Sequence, residues 1–222
     1  MGFQIAIDGP AGAGKSTIAK IVAKELGFVY IDTGAMYRAL GLYFADRNIP
    51  LDEESVVEEN LPGAEVSLQM IDGVQHVFLN GEDVNDRIRT EKAGMAASKV
   101  STYRAVRKKL VECQQEIAGN LDVVMDGRDI GTVVLKDAQL KVFLTASAHV
   151  RAMRRLLDMQ LLGEEADIEA IERDIVARDR QDMTRAESPL CQAEDAVLLD
   201  SSDMTIEEVA ARILELAAER RK

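Results

Sequence analysis

Apolar positions along the chain follow two periods in turn. An apolar strand-like run from Phe3 to Ile7, broken only by Gln4, reads as a buried strand. Ile18, Ile21, Val22 and Leu26 then recur at helical spacing, and Gly27 is placed to end that helix. Phe28 to Ile31 is a second short strand. It closes at Asp32-Thr33-Gly34, where Ala35, Tyr37, Leu40 and Phe44 begin another helical pattern. Further buried-type strands are predicted at Val123 to Met125, Leu140 to Leu144 and Ala196 to Leu199. Helical stretches are predicted at Ala93 to Ala118 and from Ala148 to about Asp182. The last helix opens at Thr205 with Glu208 three residues on, a capping-box pattern, and Ile206, Val209, Ile213 and Leu216 are its expected core positions. Strands alternating with helices predict an α/β fold: a five-stranded parallel sheet covered by helices on both faces. Ligands of such sheets gather at the carboxyl ends of the strands. Asp8-Gly9, Asp32-Thr33 and Asp126-Gly127 all fall there.

One region departs from this pattern. Val66, Leu68 and Met70 alternate up to Asp72-Gly73, and Val77 and Leu79 alternate up to Asn80-Gly81. Alternation broken by Asp-Gly and Asn-Gly predicts a small antiparallel meander. Residues 61–92 are therefore expected to form an inserted β subdomain, with 1–60 and 93–222 forming the core.

Composition narrows the function. The formal charge of −12 over 222 residues makes the chain a poor general ligand for nucleic-acid polymers or anionic membranes. Tryptophan is absent, which argues against a base-stacking surface for single strands. Cys113 and Cys191 lie far apart and in no metal or redox spacing, so they are expected as free thiols. His76 and His149 are isolated and are expected as ordinary surface or hairpin residues. No apolar stretch approaches a membrane span, and the first strand begins too early to leave room for a secretory leader. A cytoplasmic monomer is the expectation.

The chemistry begins at Gly9-Pro10-Ala11-Gly12-Ala13-Gly14-Lys15-Ser16, which fits the phosphate-binding pattern G-x-x-x-x-G-K-[ST] between a strand and a helix. Glycines let backbone N–H groups close on phosphate oxygens, and the new helix turns its positive end to the same anion. Lys15 adds a charge near the β- and γ-phosphates. The Ser16 hydroxyl is offered to Mg²⁺, directly or through water. Three more stretches are dense in polar residues: Asp32 to Arg38, Asp126 to Thr132 and Arg178 to Arg185. Each pairs arginine with carboxylate near a predicted helix end. Guanidinium groups suit phosphate oxygens and base edges, and carboxylates suit ribose hydroxyls and amino groups. Structural ion pairs are the competing reading of each stretch taken alone, and for most arginines between Arg151 and Arg185 a salt-bridged helix face is the simpler one.

With these motifs the sequence resembles the bacterial cytidylate kinases, within the nucleoside-monophosphate kinases. The resemblance rests on Asp8 to Thr17, Asp32-Thr33-Gly34-Ala35-Met36-Tyr37-Arg38, Asp126-Gly127-Arg128-Asp129-Ile130-Gly131-Thr132 and Arg178 to Arg185 leading into Ser188-Pro189-Leu190, and it covers essentially the whole chain. It implies a P-loop kinase fold with a helical lid, at about 151–185, and Mg²⁺-dependent phosphoryl transfer from ATP to CMP or dCMP. By the same resemblance Gly9, Pro10, Ala11, Gly12, Ala13, Gly14, Lys15, Ser16 and Thr17 would hold ATP. Thr33, Tyr37, Arg38 and Arg128 would surround the acceptor phosphate. Ser98, Arg107, Asp129 and Arg185 would read the cytosine, and Arg178 and Asp182 would contact the ribose. Lys15, Arg128 and Arg185 would be catalytic. Thr33 stands where the family often has Ser; the hydroxyl is kept.

The residue chemistry agrees with this assignment. Cytosine presents an amino donor beside a ring acceptor, whereas uracil presents the reverse. A carboxylate at Asp129 favours the first pattern, and a site built for one leaves groups unpaired with the other. Two rivals stand beside this reading. One is a P-loop kinase for a different small acceptor. The other is a GTP-driven switch, although the chain has no Asn-Lys-x-Asp run for guanine.

Overall fold

The computed structural model describes residues 2–161, 163 and 165–221. The chain forms two compact units, one made of Met1–Tyr30 with Leu121–Lys222 and the other of Ile31–Asn120.

In the first unit, β1 (Gln4–Asp8) and β6 (Val123–Gly127) are buried at every position, as strands covered on both faces must be. They pair in parallel from Gln4↔Val123 to Asp8↔Gly127. On its other side β1 pairs in parallel with β7 (Leu140–Thr145), and β7 pairs with β8 (Val197–Asp200). With β2 (Val29–Asp32) the five-stranded order is β2-β6-β1-β7-β8. The carboxyl ends thus carry Asp8, Asp32 and Gly127. Helices α1 (Lys15–Leu26) and α8 (Ile206–Arg220) pack Ile18, Val22, Val209 and Ile213 against Ile5, Ile7, Leu140 and Val142. Gly27 ends α1 in the left-handed region at φ 70, as its position predicts. The Thr205–Glu208 capping box forms in both directions. Ile206, expected in the core, is instead 49% exposed. Side chains lean toward a helix's N-terminus, so the first residue of α8 projects past the sheet over its own cap.

The unit 31–120 carries its own core around Met36, Leu40 and Phe44 of α2 (Thr33–Asp46), with Val77, Leu79, Val100, Val106 and Leu110. Gly41 lets α2 meet α4 (Glu91–Val100); a Cβ there would lie 2.8 Å from that of Ala96. The meander is present as a three-stranded sheet, β3 (Val66–Ile71), β4 (Val74–Leu79) and β5 (Glu82–Asp83). Asp72-Gly73 and Asn80-Gly81 both place two successive residues at positive φ, the geometry of a tight hairpin turn.

Two predicted helices are each divided. Residues 93–118 become α4 and α5 (Arg104–Ala118), because the Ser101 and Thr102 hydroxyls donate to the carbonyls of Ser98 and Lys99 at 2.9 and 2.7 Å and compete with the helix ladder. Residues 148–182 become α6 (Ala148–Leu161) and α7 (Ile168–Thr184). Gly163 between them stands at φ 78, and Asp167 caps α7 by accepting from the Glu169 amide. Leu162 and Glu164 of the expected lid segment lie outside the described residues. The acidic stretch after Asp52 includes a short helix, α3 (Glu54–Asn60), that no apolar period announced. No helix among the described residues is long and apolar enough to cross a membrane.

Candidate active site

The loop between β1 and α1 is shaped by three glycines at φ 151, 76 and 88 (Gly9, Gly12 and Gly14). Gly9 is obligatory for space as well, since a Cβ would stand 1.9 Å from the Leu144 carbonyl oxygen. Gly14 begins α1 with no side-chain cap, which leaves the first N–H groups of the helix to an anion. Lys15 is 6% exposed, and its Nζ donates to the Pro10 carbonyl at 2.7 Å. Burial, with the Arg128 charge adding to it, lowers its pKa to about 7 against the pull of Asp126, Asp8 and Asp182. Ser16 Oγ donates to Asp126 Oδ2 at 2.9 Å, and Tyr30 OH donates to Asp126 Oδ1 at 2.8 Å. A hydroxyl and a carboxylate side by side are hard oxygen ligands. No cluster of three or more acidic, histidine or cysteine side chains could hold a metal among the described residues. That donor set fits Mg²⁺, which keeps several waters and binds through one or two protein groups and substrate phosphates.

Asp8, at the end of β1, is buried and accepts from the Ile130 and Gly131 amides, each at 2.7 Å. Burial outweighs those two donors and raises its pKa to about 6. These bonds anchor the one-turn π-helix Ile130–Val134 that follows Arg128-Asp129. Arg128 Nε donates to Asp182 Oδ2 at 2.9 Å. Arg185 NH1 lies 3.4 Å from Asp182 Oδ1, its NH2 3.9 Å from Asp129 Oδ1, and its Nε and NH2 donate to the Ser188 carbonyl. The predicted Arg128, Asp129, Asp182 and Arg185 are thus brought into one network. Arg178 stands one turn before Asp182 on α7, and burial with the charges of Arg155 and Arg128 lowers its pKa.

The other predicted residues belong to the unit 31–120. Asp32 caps α2 by accepting from the Ala35 amide at 3.0 Å, and its second oxygen takes Arg38 NH2 at 2.9 Å. The Gln75 side chain brackets the Asp32 backbone, accepting from its N–H at 2.8 Å and donating to its carbonyl at 3.3 Å. Thr33 is buried in the first turn. Arg107 is 4% exposed, donates to the Ser101 carbonyl at 3.2 Å, and has its guanidinium 5.6 Å from the Tyr37 ring centre. Ser98, on α4, is half-buried.

Sequence reasoning placed Asp8 and Asp126 at ligand-gathering strand ends and Arg151 at the start of the lid, but it gave none of the three these partners and singled out neither Tyr30 nor Asp179. Asp126 was legible in position, since an aspartate closing the apolar run Val123 to Met125 lands on the P-loop side of the sheet, but its bond to Ser16 was not. The Arg151 contacts depend on long-range packing that no local pattern reveals.

The family model described as Cytidylate kinase matches residues 5–219. The chain belongs to the cytidylate kinase family. A cytidylate kinase of Caldicellulosiruptor saccharolyticus is 51% identical over 214 residues, 96% of this chain and 95% of that one. That of Lactobacillus johnsonii is 49% identical over 99% of this chain and 96% of its own. That of Thermotoga petrophila is 44% identical over 99% of both. Among solved structures, a gluconokinase from Sinorhizobium meliloti has a TM-score of 0.51 at 15% identity, covering 98% of this chain and 92% of its own. An uncharacterized protein from Eubacterium ventriosum has a TM-score of 0.55 at 11% identity, covering 97% and 98%. At such identities these two speak to the fold alone. In this cytidylate kinase family member, Arg128, Asp182 and Arg185 form a charge-paired network in the same compact unit as the loop between β1 and α1.

Proposed function

We propose that the protein transfers the γ-phosphoryl group of ATP to CMP or dCMP, giving ADP and CDP or dCDP. The observation that carries this reading is the network of Arg128, Asp129, Asp182 and Arg185 in the same compact unit as the P-loop. Family membership supports cytidine monophosphate as the acceptor.

The reaction needs no protein base. The acceptor phosphate has a second pKa of about 6 and is mostly dianionic at neutral pH, so its oxygen is already nucleophilic. Catalysis is then alignment and charge neutralisation. Backbone N–H groups of residues 9–17 and Lys15 Nζ would hold the ATP phosphates. Ser16 and Asp126 would hold a Mg²⁺, which when bound supplies neutralisation of the β- and γ-phosphates. Arg128 and Arg185 would place positive charge on the transferring group. Asp129 and Arg185 would face the base, and Arg178 and Asp182 the ribose. In the other unit, Thr33, Tyr37 and Arg38 would serve the acceptor phosphate, and Ser98 and Arg107 the cytosine. The arginine-rich pair α6–α7 would act as the lid over 151–185, excluding water that competes as acceptor. The meander, within 61–92, would form the monophosphate-side subdomain. The working place would be the cytoplasm, where ATP is held, and the working state a monomer, which light scattering would check.

An ADP-release assay across CMP, dCMP, UMP, AMP, GMP and dTMP tests the proposal. CMP or dCMP should be turned over fastest; equal or faster use of UMP would overturn the cytosine assignment. Arg107→Met should raise the KM for CMP by ~10-fold or more while leaving that for ATP within about twofold. The reverse pattern would remove Arg107 from the acceptor side.

A further inference from the structure

Arg151, the fourth residue of α6, is only 4% exposed although arginine is rarely buried so fully without specific partners. Its fork reaches three separate pieces of the chain. NH1 donates to the Ala11 carbonyl of the P-loop at 3.0 Å, and Nε donates to the Ala146 carbonyl just past β7 at 2.9 Å. NH1 and NH2 grip both oxygens of Asp179 on α7 at 3.1 and 2.7 Å. The stem matters too, because a Cβ on Gly12 would come within 3.3 Å of the Arg151 Cβ. The P-loop therefore lies against Arg151 at two adjacent residues, through a hydrogen bond at Ala11 and a close approach at Gly12.

We propose that Arg151 is a positioning residue that holds the P-loop in its phosphate-binding shape and that Asp179 fixes it in place, so that neither contacts ATP. The inference deepens the reading of the P-loop as the ATP site and rests on it. Chemistry supports a strut over a phosphate ligand. Four of the five guanidinium N–H groups go to two carbonyls and a bidentate carboxylate, and the ion pair is 5% and 13% exposed at its two ends. A phosphate could take the paired face of that guanidinium only by breaking a buried, charge-assisted fork, which leaves Asp179 charged and unpaired. A lysine cannot replace it, because a single ammonium lacks the planar geometry that serves all three partners at once.

The test is ATP affinity by isothermal titration calorimetry on the full chain, for wild type, Arg151→Lys and Asp179→Asn, with thermal midpoints and CMP affinity measured alongside. A strut predicts that both substitutions weaken ATP by roughly tenfold, the loss of about one charge-assisted hydrogen bond, while CMP affinity stays within about twofold. Asp179→Asn is the decisive arm. It keeps the Arg151 charge and removes only the carboxylate that pins it. If Arg151 bound phosphate directly, freeing it would leave ATP affinity unchanged or tighten it, and that result would overturn the proposal. Lower thermal midpoints with ATP affinity unaltered would overturn it as well, in favour of a merely structural pair. Should Arg151→Lys fail to fold, Asp179→Asn decides alone. A wild-type chain that binds ATP yet leaves CMP untouched would end the proposed acceptor and not the strut.

Discussion

Single residues in the site are held away from their ordinary ionisation. Lys15, with its pKa lowered to about 7, is largely neutral above neutrality in the ligand-free protein. Phosphate oxygens favour its charged form, so ATP binding should take up a proton near pH 8, and ATP affinity should fall as pH rises from about 7 to 9. Calorimetry in buffers of different ionisation enthalpy reads that proton. Lys15→Ala should lower kcat by ~100-fold or more with a far-ultraviolet spectrum like that of wild type; retained activity would remove the P-loop from the chemistry. Asp8 runs the other way. Its folded pKa, raised to about 6, lies above the ordinary aspartate value of 3.8, so the stability it contributes is full below about pH 4 and is lost as pH rises through about 6. Asp8→Asn does not titrate. The difference in unfolding free energy between wild type and this variant should therefore shrink by up to ~3 kcal/mol between pH 4 and 6. A difference independent of pH would show that Asp8 ionises normally.

Elements show which parts of the fold local chemistry dictates. The strands were legible because β1 and β6 are buried on both faces and so carry the apolar runs Ile5 to Ile7 and Val123 to Met125. The meander was legible because Asp-Gly and Asn-Gly are suited to two successive positive φ values. Helix breaks were not legible. Hydroxyls at Ser101 and Thr102 end α4 by taking its last carbonyls, yet the same residue types pass unnoticed inside many helices. At the P-loop, the motif located the phosphate cradle but not its supports, since Asp8 reaches the amides of Ile130 and Gly131 across 122 and 123 residues of chain. Close packing at Gly41 is a further long-range fact. Gly41→Leu should force α2 away from α4 and cost ~1–3 kcal/mol or more in chemical denaturation, whereas Gly73→Ala meets nothing within 4 Å and should cost only the strain of its φ of 77.

At the scale of the whole molecule, the described residues build one large apolar core around Ile5, Ile7 and Val142 and another around Phe44 and Leu40. Deleting most of a buried ring should act where that ring is. Phe44→Ala, at ~3–5 kcal/mol, should reduce hydrogen-exchange protection in 31–120 more than in 121–222, as mass spectrometry of peptides from each would show. The division of the predicted site residues between the two units was beyond the sequence, because spacing along a chain says nothing of which core a residue serves. The net charge of −12 was fully legible, and it confines the cationic groups to local clusters such as Arg128, Arg178 and Arg185. Strand β2 lies at the margin of the five-stranded sheet, where a bare backbone invites another polypeptide to add itself. The Gln75 amide, donating and accepting at Asp32 as a neighbouring strand would, supplies a one-residue imitation of the missing partner. A margin so occupied offers an incoming polypeptide less open backbone to pair with at Asp32.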